Sequence, residues 1–143
     1  MIKSLRLFLI ITSLFIITIP ISCNNDDDSN SDCGNVVCTL EFRTIVISIK
    51  DQNQNPVALD SFEVINIENN DDMTILLSTS EFEMAQQFGQ YPLLNDTSLE
   101  VNQEREIQFK GFINNQEVIS SIYTVSTDCC HISLVSGTLE LTL

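Results

Sequence analysis

The chain has 143 residues, 20 of them acidic and six basic, a net charge of −14, and no tryptophan. That balance disfavours nucleic acid and anionic headgroups as direct partners: phosphate recognition needs clustered Lys and Arg, whereas Arg43, Lys50, Arg105 and Lys110 lie scattered. The length suits a single domain around one hydrophobic core, and no internal repeat divides it.

Lys3 and Arg6 precede an apolar run from Leu7 to Ile19, followed by Ile21-Ser22-Cys23 and then Asn24-Asn25-Asp26-Asp27-Asp28. The run has the length of a signal-peptide core and falls short of the roughly 20 residues that span a bilayer. Residues 1–22 are therefore expected to form a removable leader, 23–35 a polar tether and 36–143 the folded domain. An Asp/Asn/Ser tract buries too little apolar area to fold, which makes the tether a solvated spacer. Loss of the leader removes Lys3 and Arg6 and no acid, leaving four basic against 20 acidic residues, a net charge of −16.

Ile21-Ser22-Cys23 resembles the lipobox of bacterial lipoproteins, and the aspartates just after Cys23 resemble the surface-export signal of Bacteroidota-type lipoproteins. The resemblance implies acylation of Cys23 and a lipid-anchored protein of the outer membrane, displayed at the cell surface. The membrane would be a partner through that lipid alone, and stable anchoring takes more than one acyl chain.

With Cys23 acylated, four cysteines remain in an oxidising compartment: Cys33, Cys38, Cys129 and Cys130. They read as two disulfides. Of the three possible pairings, a bond between the neighbours Cys129 and Cys130 is disfavoured by ring strain, and the two others both clamp the start of the domain to its end. Which of Cys129 and Cys130 takes Cys38 stays open. Since neighbours on a strand face opposite ways, one bridge is expected inside and one outside. A zinc or copper site built on Cys129-Cys130-His131 competes weakly, because adjacent cysteines rarely both reach one ion. No acid or serine pairs with His131 by a local motif.

Leu40–Lys50 alternates with period two, Ile45, Ile47 and Ile49 on one face against Leu40, Phe42 and Val46 on the other, and reads as a central strand. Asp51–Pro56 is a turn by composition. Ser61–Glu68, Met73–Ser78, Glu104–Asn114, Gln116–Ser126, Cys130–Val135 and Thr138–Leu143 follow as strands, with Asn114-Asn115 as a two-residue hairpin turn. Between them, Ser80 to Glu83 has capping-box spacing and Gly89 is a stop, which predicts a short helix over Glu81–Phe88 with Phe82, Ala85 and Phe88 sharing a packed face. The expected fold is all-β, an antiparallel Greek-key sandwich of about seven strands with one short helix.

The stretch Val46-x-Ile-x-x-Asp51-x-x-x-x-Pro56-Val57, leading into a strand from Phe62, is similar to the opening of carboxypeptidase regulatory-like domains, prealbumin-like sandwiches of secreted bacterial proteins. That resemblance implies a non-catalytic module and carries over no site residue.

The functional expectation is an extracytoplasmic, non-catalytic interaction module, with an envelope protein or a glycan as partner and no cofactor. Tyr91, beside Gly89 and Pro92, is the candidate exposed stacking platform for a sugar. Asn69, Asn70, Asp71 and Asp72 offer hard oxygen ligands for a calcium-stabilised alternative. Glu81, Glu83, Glu104 and Glu106 read as solvated faces and not as the paired carboxylates of a small hydrolase.

Overall fold

The computed structural model describes residues 33–143. The expected leader, Cys23 and most of the tether lie outside the described residues. Among the described residues, seven strands form two sheets: β1 (Thr44–Lys50), β2 (Ser61–Asn66), β3 (Gln90–Asn95), β4 (Glu104–Ile113), β5 (Gln116–Thr127), β6 (Ile132–Ser136) and β7 (Glu140–Thr142). One sheet has the order β3-β1-β7 and the other β2-β4-β5-β6, with helix α1 (Thr79–Phe88) between β2 and β3 in the chain. This is the expected all-β sandwich, its pairings antiparallel except for the parallel contact of β1 with β7.

The alternating patterns set the faces. Ile45, Ile47 and Ile49 on β1 point inward against Val64, Ile107, Phe109, Tyr123 and Val125 of the opposite sheet, all buried. Val46 faces out and is 40% exposed, as period two requires. Phe62 is the aromatic hub, with ring centroids 5.6 Å from Tyr91, 5.8 Å from Phe109 and 6.4 Å from Phe82 of α1. The Asn114-Asn115 turn carries β4 into β5 with φ of 53° and 59°, the left-handed conformation that a tight hairpin needs and asparagine tolerates.

Several boundaries differ from the sequence expectation. Leu40–Arg43 is not strand: the chain from Cys33 to Arg43 is an irregular strap, turned at Gly34-Asn35 and bent at Leu40, and β1 begins only at Thr44. Met73–Ser78 is also not a strand. It runs beside β2, where Val64 O accepts from Met73 N–H but Val64 N–H donates to the Thr74 hydroxyl, so a side chain interrupts the ladder. In its place Gln90–Asn95 is strand β3, paired with β1. Pro92 concealed it, since proline has no ladder donor, but β3 is an edge strand and tolerates the loss.

The helix starts earlier than predicted. Its N-cap is Ser78, whose hydroxyl accepts from Glu81 N–H while the Glu81 carboxylate takes the Ser78 N–H, so the capping box sits two residues upstream of the Ser80–Glu83 spacing. Only Ala85 of the expected face is buried; Phe82 is half-buried and Phe88 is 52% exposed. Gly89 ends the helix at φ 63°, where a Cβ would collide with the Ile49 carbonyl oxygen.

Candidate functional site

Chemistry-bearing side chains converge at one end of the sandwich, where the strap meets the β3–β4 loop and the β5–β6 loop. Cys33 bonds Cys129 and Cys38 bonds Cys130, with Cα–Cα distances of 5.5 and 5.4 Å. The pairing left open by the sequence is thus parallel in order. Cys129 and Cys130 lie in the β5–β6 turn and not on a strand, because Asp128 Oδ1 accepts from both Cys130 N–H and His131 N–H at 2.7 Å and bends the backbone there. The expectation of one buried and one exposed bridge does not hold: turn geometry, unlike a strand, has no opposite faces, and both cystines are partly exposed.

His131 follows directly and is buried. Its Nδ1 lies 3.0 Å from Asp96 Oδ2 and its Nε2 3.0 Å from the Thr39 hydroxyl. In a neutral imidazole, an Nδ1–H directed to Asp96 leaves Nε2 to accept the Thr39 proton. Asp96 also accepts from Arg43 N–H and Ile132 N–H, each at 2.8 Å. One carboxylate therefore joins the strap, the β3–β4 loop and the start of β6. Burial pushes the Asp96 carboxyl up, but the N–H donors of Arg43 and Ile132 and the His131 ring outweigh it and hold it below its ordinary value. Asp128 is held low as well, by the N–H groups of Cys130 and His131. A cavity of about 170 Å³ opens beside this node, lined by Asp96, Leu99, Val101, Asp128 and His131 among others.

Acid, imidazole and hydroxyl stand in the order that activates a hydroxyl in acyl-transfer enzymes. They come from positions 96, 131 and 39, and no local motif connects them; the sole sequence signal was a histidine beside two cysteines. The thiols that a zinc or copper site would have used are consumed in the cystines.

A second concavity of about 260 Å³ runs between α1 and the outer face of β1 and β3, lined by Val46, Leu77, Met84, Phe88 and Pro92 with Glu81 at its rim. The polar loop at 69–72 forms a third, about 420 Å³, with Asn66, Met73 and Ser98. Its oxygens are turned on the loop itself: Asn69 Nδ2 donates to Asp71 Oδ2 at 2.6 Å, and Asp72 Oδ1 accepts from Thr74 N–H at 2.9 Å. The Thr74 hydroxyl and N–H hold the Asp72 carboxyl below its ordinary value. Among the described residues no group of three or more His, Cys, Asp or Glu is placed to hold a metal ion.

Tyr91 is not a surface platform. It is fully buried on β3, its hydroxyl accepting from Leu59 N–H at 2.7 Å and donating to Val57 O at 2.9 Å. The edge strand carries the ring inward by period two, and the hydroxyl satisfies two backbone groups that the β1–β2 connection leaves unpaired. Tyr123 is buried too, donating to Thr138 O. Of the carboxylates, Glu81 caps α1, and Glu83, Glu104 and Glu106 are exposed, as expected of solvated faces. Cys23 lies outside the described residues. Comparison of the chain with protein-family models, with curated proteins and with solved structures finds no match.

Proposed function

We propose that this chain is a lipid-anchored, extracytoplasmic, non-catalytic interaction module of the outer membrane, tethered through acylated Cys23 and presenting a disulfide-clamped sandwich to an envelope protein or glycan. The carrying observation is the pair of cystines at the start of the domain, ten residues after Cys23: disulfides of this kind belong to oxidising compartments, where the leader and lipobox-like sequence would deliver the chain. Burial of both tyrosines leaves the exposed rings of Phe42 and Phe88 as the aromatic surfaces that a glycan could stack on. Metabolic labelling with an alkyne fatty acid, fractionation and protease treatment of intact cells test this. Label on the wild type, its loss in Cys23→Ala and cleavage of the domain from outside support the reading; an unlabelled chain in the cytoplasm refutes it.

The Thr39–His131–Asp96 chain favours a second reading, a small hydrolase with Thr39 as nucleophile, His131 as base and Asp96 as its orienting acid. Covalent labelling by a fluorophosphonate probe, abolished in Thr39→Ala and retained in the folded Thr97→Ala control, would establish it. Equal labelling of wild type and Thr39→Ala would remove it.

A further inference from the structure

The strap is rigidly held yet leaves its apolar side chains outside. Two cystines, the Thr39–His131 bond and the Arg43–Asp96 bond fix the backbone between Cys33 and Arg43. Even so, Val37 and Leu40 are fully exposed, and Phe42 and Val36 are 61% and 48% exposed. Four exposed apolar residues within seven positions of one pinned segment mark an interaction surface.

We infer that this end of the sandwich is a membrane-contacting face: Val37 and Leu40, supported by Val36 and Phe42, enter the interfacial layer of an uncharged or zwitterionic bilayer and stand the domain on its strap. The inference rests on the reading that Cys23 is acylated. Ten residues join Cys23 to Cys33, a reach of at most about 35 Å, so an anchored strap never leaves the vicinity of the bilayer. A linker of that reach keeps a tethered site at an effective concentration on the order of millimolar, at which even a small apolar patch stays engaged. The carboxylates around this end, Glu41, Asp71, Glu100, Glu104 and Asp128, oppose anionic lipid and favour neutral headgroups. β4 and β5 run along the sandwich axis, so the opposite turns at 51–56 and 114–115 then point away from the membrane, where a partner meets them.

The absence of tryptophan makes the test direct, because one introduced indole reports alone. Full-length protein carrying Val37→Trp, Leu40→Trp or Gln116→Trp, the last at the far end of β5, is purified from membranes, weighed for acyl chains and reconstituted into phosphatidylcholine vesicles with and without brominated lipid. The expected result is a blue-shifted emission for the two strap reporters that loses most of its intensity to bromine, an unshifted and unquenched Gln116→Trp, and a return of Leu40→Trp to a water-like spectrum when Val37→Asp is added. Acylated protein whose strap reporters stay water-like overturns this inference alone. So does a blue shift that appears without vesicles and grows with protein concentration, the mark of a second copy on the strap. A mass without acyl chains overturns the anchoring reading and, with it, this one.

Discussion

Removing the cystines one at a time and together separates two ways in which they could act. Cys33–Cys129 and Cys38–Cys130 span 96 and 92 positions. Either alone closes a loop of that size, and in the chain-entropy account it restricts the unfolded chain by about 4.7 kcal/mol. The two interleave with nearly coincident ends, however. With one in place, the second closes only a ring made of Cys33 to Cys38 and the adjacent Cys129 and Cys130, about eight residues, which contributes about 2.5 kcal/mol. Replacing either pair by alanine should therefore cost about 2.5 kcal/mol, and replacing both about 7 kcal/mol, close to the whole stability of a domain of this size. Urea unfolding followed by circular dichroism gives the free energies, with the slope monitored because a freer unfolded chain exposes more surface. Two single losses near 4.7 kcal/mol that simply add in the double variant would show independent loop closures and refute the coupling of the two bridges. A double variant no weaker than either single would show that the bridges constrain nothing in the unfolded chain.

Four other outcomes are expected. Tyr91→Phe strands the Leu59 N–H and the Val57 carbonyl in the core and should cost about 2–3 kcal/mol in the same unfolding assay. Asp96→Ala leaves buried His131 and two backbone N–H groups without their acceptor and should cost about 3 kcal/mol or more, with Asp96→Asn recovering part of it. Asp96 and Asp128 have folded-state pKa values below their unfolded ones, so their stabilisation is present above about pH 4 and lost as the pH falls through the folded values; a melting temperature that stays level from pH 6 to pH 2 would contradict this. Ser78→Ala removes the hydroxyl that accepts from Glu81 N–H, while the backbone N–H at 78 still reaches the Glu81 carboxylate, and should cost about 1 kcal/mol, read by urea midpoint; Ser80→Ala should leave stability nearly unchanged.

Local patterns were legible before any coordinates. The period-two isoleucines of β1, the Asn114-Asn115 turn and a short helix closed by Gly89 all depend on residues within a few positions of one another. The helix start shows how such a signal slips: Ser78 and Ser80 offer the same spacing to Glu81 and Glu83, and Ser78 prevails where the chain leaves its course beside β2. Strand β3 was hidden by Pro92, because a ladder donor is dispensable only at a sheet edge and the edge is not visible along the chain. The node at His131 was hidden more completely. Asp96 lies 35 positions away and Thr39 92, and neither carries a motif.

Composition and patterning alone determined that this chain is strand-rich and strongly acidic, with Cys33, Cys38, Cys129 and Cys130 as candidates to pair, since each of these follows from residue type or from spacing within one element. The tertiary structure decided which cysteine meets which, that Tyr91 turns inward, and that one carboxylate joins strap, loop and strand. Those contacts form only when sheets stack and loops of many tens of residues close, and the entropy of that closure leaves no trace in neighbouring positions.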